Sequence, residues 1–221
     1  MSTNSVRVCI VDYGSGNVRS VYNIFHSIHE DVRVSNHADD LNAATHIVLP
    51  GVGAFGASMA KVKALPSFET LQENVLAKKK LYLGICVGMQ ILADEGFEHG
   101  NNKGLGWIPG IVRRIDAPDL YLPHVGWNNF AWCQSENPLL KGIATAMDFY
   151  YVHSYQFETK DQSCRIASCA YGMEFAAAVN KENIYGVQFH PEKSQKAGKK
   201  LIENFLSLTY EEKTSHTCAA S

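Results

Sequence analysis

Short continuous apolar runs alternate with segments of helical period through the first half of the chain, and that alternation leaves few architectures open. Residues 6–11 (VRVCIV) form such a run, the pattern of a strand buried on both faces. The turn Asp12-Tyr13-Gly14-Ser15-Gly16 follows. Apolar residues then recur at Val18, Val21, Tyr22, Phe25 and Ile28, the spacing of a helix with one apolar face. The unit repeats: Val32 and Val34 mark a second strand, His46-Ile47-Val48-Leu49 a third that ends in Pro50-Gly51, and residues 81–85 a fourth. Helical segments lie between them, including residues 68–77. This order predicts an α/β fold with a largely parallel central sheet flanked by helices, whose functional groups gather at the carboxyl ends of strands.

From Gly106 the strands succeed one another without long helices. Residues 107–115, 127–132, 149–157 and 165–170 read as strands, followed by a hairpin of 175–179 and 184–189 across Asn180-Lys181-Glu182-Asn183. These are expected to add antiparallel strands to the sheet. A last helix over residues 195–208 places Leu201, Ile202, Phe205 and Leu206 on one side. Residues 209–221 (TYEEKTSHTCAAS) lack apolar periodicity and read as a mobile tail, so the expected organisation is one domain over 6–208 and a tail over 209–221.

A chain of 221 residues, 46% of them hydrophobic, can bury one sizeable core. Its formal net charge of -2 provides no general attraction to nucleic acid or anionic lipid, so neither is expected as a partner. The amino terminus has no basic segment leading into a long apolar one, and the longest uncharged stretch, 43–60, is interrupted by His46, Pro50, Gly51, Gly53 and Gly56. A cytoplasmic location is expected. The six cysteines, at 9, 86, 133, 164, 169 and 218, contain no C-x-x-C pair and no histidine spaced to complete a zinc site, which reads as reduced thiols and no metal. Cys164 and Cys169 read as small core residues.

Cys86 differs from the rest. It stands in Gly84-Ile85-Cys86-Val87-Gly88, after a buried strand and before Met89-Gln90-Ile91-Leu92-Ala93, which reads as a helix. A strand-to-helix turn with glycine on either side is the setting of a nucleophile elbow, and a helix amino terminus favours a thiolate. A buried structural cysteine beside two incidental glycines is the alternative.

A thiol nucleophile needs a base, and the base an orienting group. Among nine histidines, His190 in Gly186-Val187-Gln188-Phe189-His190-Pro191-Glu192 closes a strand, with a carboxylate two residues on that can reach back to its ring. An exposed His-Pro-Glu turn is the alternative. Pro50-Gly51-Val52-Gly53, also just past a strand, can present a backbone N–H to a developing oxyanion together with that of Val87, or be an ordinary Gly-rich connection.

PGVGAF, GICVGMQ and GVQFHPEKS, in this order, resemble the triad-type (class I) glutamine amidotransferases. DYGSGN, LPHVGWN (residues 122–128) and FYYVHSY (149–155) narrow the resemblance to the glutaminase subunits of imidazole glycerol phosphate synthase. The resemblance spans residues 6–208, with Ile85 and Val87 replacing other apolar residues in the elbow. It implies Cys86 as nucleophile, His190 as acid and base, and Glu192 as the group that orients it. An oxyanion hole from Gly51, Val52 and Val87 is also implied, with glutamine held by Gln90, Glu98 and the backbone around Ser154 and Tyr155, and no cofactor is needed. The partner it implies is a (β/α)₈ barrel synthase subunit, which receives ammonia through a channel and makes imidazole glycerol phosphate and an aminoimidazole carboxamide ribonucleotide in histidine biosynthesis. Asn17, Trp127, Tyr150 and Lys193 match positions at that interface, although Trp127 and Tyr150 also read as core aromatics and Lys193 as a solvated lysine. Glycine in the 50–53 loop suggests that it reorients when the partner binds its substrate, so the isolated subunit is expected to be nearly inactive.

Three alternatives remain on the residues alone. The glutaminase can serve a paralogous barrel synthase, such as one that amidinates a cell-surface sugar. The chain can be a free-standing cysteine hydrolase acting on peptides or γ-glutamyl compounds. It can also be a regulatory or redox-sensing domain that kept the elbow without the chemistry.

Overall fold

The computed structural model describes residues 5–209, so most of the predicted tail, with Cys218, lies outside the described residues. The strands are β1 (Val8–Val11), β2 (Val32–Ser35), β3 (His46–Gly51), β4 (Leu81–Cys86), β5 (Glu95–Gly96), β6 (Asn102–Lys103), β7 (Gly110–Arg114), β8 (His124–Asn128), β9 (Ala131–Trp132), β10 (Phe149–His153), β11 (Tyr155–Thr159), β12 (Arg165–Tyr171), β13 (Met173–Lys181) and β14 (Ile184–Val187). The helices are α1 (Val18–His26), α2 (Ala38–Ala43), α3 (Phe55–Lys63), α4 (Phe68–Gln72), α5 (Val87–Gln90) and α6 (Gln195–Leu206).

Eight strands form the main sheet in the order β2-β1-β3-β4-β14-β13-β12-β9. The first five run parallel and the last three are added antiparallel. The continuous apolar runs account for the parallel half, since every residue of β1, β3, β4 and β14 is buried. Helix α6 lays Leu201, Ile202 and Phe205, all fully buried, into the core. Each contributes about 2 kcal/mol of apolar burial.

Several expectations are corrected. The predicted strand 149–157 is two strands in two sheets, because β10 pairs with β8 while β11 pairs with β7, in a four-stranded sheet ordered β11-β7-β5-β6. Ser154 sits at the break. Residues 127–132 divide likewise between β8 and β9, and the 107–115 strand shortens to β7. Of the second-half strands only β14, β13, β12 and β9 join the main sheet, and β14, expected among the antiparallel additions, lies parallel to β4 and antiparallel to β13. The 68–77 helix continues from α4 into one wider π turn at Glu73–Ala77.

The helix predicted over 89–93 is a single turn, α5, because a distant segment takes the carbonyls that a longer helix would use. Leu105 N donates to Ile91 O at 2.8 Å, Trp107 N to Leu92 O at 2.9 Å, and Gly106 N to Ala93 O at 3.0 Å. Four residues carry little macrodipole, so support for a thiolate has to come from a neighbouring charge.

Candidate active site

Cys86 closes β4 with φ 54° and ψ -111°, a conformation that L-residues seldom adopt. The glycines around it make that turn possible. A Cβ on Gly84 would overlap the Gly88 carbonyl, and one on Gly88 would overlap the Leu49 carbonyl of the adjacent strand. The elbow is thus packed backbone to backbone between β3 and β4, with Cys86 only 4% exposed at the base of a cleft of about 540 Å³.

The strand on the other side of β4 delivers His190. β14 runs parallel to β4, and the chain just beyond it carries the imidazole into the cleft, 1% exposed. His190 Nδ1 lies 2.9 Å from Glu192 Oε1, and both side chains are buried. A carboxylate can only accept, so Nδ1 carries the proton and Nε2 remains for chemistry. Nε2 is buried with no hydrogen-bond partner among the described residues, and Cys86 lines the same cleft. Burial alone pushes the imidazole down, but Cys86 and then Glu192 together outweigh it and raise the pKa to about 9. His190 is therefore a cation at neutral pH, and a cation beside sulfur is the partner a thiolate needs.

The other predicted residues fall around the same cleft or outside it. Gly51 ends β3 in register with Cys86. Val52, 40% exposed, lines the cleft with Gly53, and its carbonyl accepts from Ser15 Oγ at 2.9 Å. Val87 opens α5, so its N–H has no acceptor within that turn. Gln90, Glu98, Ser154 and Tyr155 all line the cleft. Glu98 Oε2 accepts from Phe55 N at 2.7 Å, so this carboxylate also caps α3.

Trp127, Tyr150 and Lys193 form a separate cluster on one ridge. Trp127 and Tyr150 pair across β8 and β10 with ring centroids 5.9 Å apart, and Lys193 Nζ stands 5.3 Å over the Tyr150 ring. Trp127 is 48% exposed, which removes the core-aromatic alternative for it. Asn17 is partly exposed at the start of α1.

Sequence reasoning passed over two groups. Gln188 Nε2 donates to Cys86 Sγ at 3.7 Å, and Gln188 Oε1 accepts from Gln90 Nε2 at 3.0 Å. Its place two residues before His190, on the same face of an extended segment, was the available signal. His153 also lines the cleft; its stretch 149–155 is one of the motifs that carry the resemblance, but no spacing within it gives the histidine itself a role. Burial disfavours the thiolate at the other buried cysteines, pushing Cys9 up to about 12, Cys169 up to about 11 and Cys164 upward. No group of three metal-ligating side chains occurs among the described residues, and no described helix is long and apolar enough to cross a membrane.

Comparison with known proteins decides the family. The model of the family described as glutamine amidotransferase class-I matches residues 9–208. The chain belongs to the class I glutamine amidotransferases. Among relatives of this family, the imidazole glycerol phosphate synthase subunit HisH of Rhodospirillum rubrum is 43% identical over 210 residues, covering 91% of this chain and 98% of that protein. The protein of the same name from Bdellovibrio bacteriovorus is 46% identical over 200 residues, covering 89% and 97%. More distant amidotransferases share the fold. A solved chain described as PurLQS from Thermotoga maritima superposes with a TM-score of 0.71 at 19% identity, covering 91% of this chain and 98% of that one. Another described as glutamine amidotransferase gives 0.69 at 15% identity, covering 90% and 96%.

Proposed function

We propose that this class I amidotransferase is the glutaminase subunit of an imidazole glycerol phosphate synthase in histidine biosynthesis, and that Cys86, His190 and Glu192 carry the reaction. The observation that carries the chemistry is the buried His190–Glu192 pair at 2.9 Å with the elbow cysteine on its other side. The names of relatives that align over their whole length support the pathway.

In this reading the Cys86 thiolate attacks the carboxamide carbon of glutamine. Backbone N–H groups from the Gly51-Val52 loop and Val87 receive the oxyanion. The C–N bond then breaks as His190 Nε2–H protonates the leaving nitrogen, which departs as ammonia and leaves a γ-glutamyl thioester. Water gives a proton back to His190 and attacks the thioester, releasing glutamate and restoring the thiolate. Glu192 keeps the ring oriented and stabilises its charge in both steps. Gln90, Glu98, Ser154 and Tyr155 hold the amino-acid end of glutamine.

Ammonia set free in neutral water is protonated and loses its nucleophilicity, so the product is delivered through a channel to a docked (β/α)₈ synthase subunit. The Trp127–Tyr150–Lys193 ridge and Asn17 form the docking surface, and the 50–53 loop is the part that partner binding reorients. The test is co-purification with the barrel subunit, then glutamine hydrolysis with and without its ribonucleotide. Hydrolysis should be low for the subunit alone, rise on complex formation with ribonucleotide, and fall by at least about 10³-fold in Cys86→Ser. Failure to bind the barrel overturns the partner, and an active Cys86→Ser overturns the nucleophile.

A further inference from the structure

Two histidines that the proposed reaction does not use are buried against the cleft wall. His124 and His153 are paired residues of β8 and β10, and His124 Nδ1 lies 3.2 Å from His153 Nε2. His153 Nδ1 lies 2.9 Å from the Tyr155 carbonyl, and His124 Nε2 lies 3.4 Å from Asn128 Nδ2. His124 is also stacked between Tyr171, at 4.0 Å, and Tyr151, at 5.0 Å.

These contacts allow one proton arrangement. A carbonyl only accepts, so His153 Nδ1 carries hydrogen. Burial pulls His153 down to about 3 and His124 to about 4, so both rings are neutral at physiological pH. His153 Nε2 must then accept, which makes His124 Nδ1 the donor and leaves His124 Nε2 to accept from the Asn128 amide. Every bond points toward Tyr155.

The same Tyr155 carbonyl accepts from Gln90 Nε2 at 3.0 Å, and the other hydrogen of that amide goes to Gln188 Oε1 at 3.0 Å. With both N–H groups committed, the Gln90 amide is fixed in one orientation and turns its oxygen into the role of acceptor. A substrate whose ends are an ammonium and a carboxamide brings donors to such a wall. His153 also neighbours His190, which lowers its affinity for a proton, and a second cation there would oppose the imidazolium that the reaction needs.

We propose that His153, itself held by His124, is a positioning residue for glutamine: it fixes the Tyr155 carbonyl, and through it the Gln90 amide, in the orientation that accepts the substrate. The proposal rests on the reading of the cleft as a glutaminase site. Steady-state hydrolysis of glutamine by the complex with its synthase subunit and ribonucleotide tests it. His153→Leu should raise KM for glutamine by at least about tenfold while kcat stays within about threefold. His153→Asn, which keeps a short N–H donor, should recover most of that loss. Nitrogen-15 NMR of the unaltered chain at pH 7 should show both rings neutral and protonated on Nδ1, a result independent of whether any variant folds. An unchanged KM in His153→Leu, or an Nε2–H ring at either position, overturns the proposal. A wild-type complex without glutaminase activity would instead overturn the reading of the site.

Discussion

His190 is buried, which opposes its charge, and the neighbouring Cys86 and Glu192 together outweigh that burial. The folded pKa of His190, about 9, lies above the ordinary histidine value of 6.5. Its contribution to stability is therefore fully present below about pH 6.5 and is lost as pH rises through about 9. Thermal denaturation of wild type and His190→Gln between pH 6 and 10 should show the difference in Tm shrinking toward alkaline pH, and parallel curves would refute the ion pair. Glu192→Gln should lower kcat/KM for glutamine by roughly 10²–10⁴-fold, through loss of the charge that supports the imidazolium. At this scale the sequence was informative where chemistry and spacing coincide. His190 and Glu192 are two residues apart and flank a proline, so their contact was legible. His124 and His153 are 29 residues apart, and only the register of β8 on β10 brings them together.

At the scale of elements, the elbow depends on backbone packing more than on the short helix that follows it. Gly88→Ala would drive a Cβ into the Leu49 carbonyl, and neither backbone can yield without disturbing the β3–β4 pairing. The expected cost is about 3 kcal/mol, a fall in Tm of roughly 6–12 °C for a chain of this size. Gly100→Ala, at a positive φ but in open space, should cost roughly 1 kcal/mol and serves as the control in the same calorimetric scan. Equal losses in the two variants would refute the packing argument. Apolar runs located β1, β3 and β4 well, because a strand buried on both faces has a pattern of its own, whereas β14 was legible only as a hairpin arm and not as a parallel neighbour of β4. The second half was read less well. Continuous extended segments at 127–132 and 149–157 change sheets part-way, and hydrogen-bond partners are not encoded in hydropathy.

Across the whole molecule, the main sheet gathers the carboxyl ends of β3, β4 and β14 on one side, and the proposed docking ridge is tied to that site through the backbone. His190 N donates to Tyr150 O at 2.8 Å, and Ser194 Oγ both donates to His190 O and accepts from Tyr150 N. Lys193 and Tyr150 therefore lie within a few bonds of the base. Trp127→Ala, which removes a half-exposed ring, should leave Tm nearly unchanged and weaken binding of the synthase subunit by at least about tenfold in titration calorimetry. Unchanged affinity would remove this ridge from the interface.

The amino-acid sequence by itself determined the α/β class, the elbow and the pairing of His190 with Glu192, because each is written in local spacing: buried runs, flanking glycines and neighbours two residues apart. The cysteine's partner, the Gln188 amide on its sulfur with Gln90 behind it, and the two-histidine chain at the cleft wall depended on strand order and register. Those are set by long-range hydrogen bonding and core packing, which join residues about a hundred positions apart, such as Cys86 and Gln188, at no spacing a linear pattern can show.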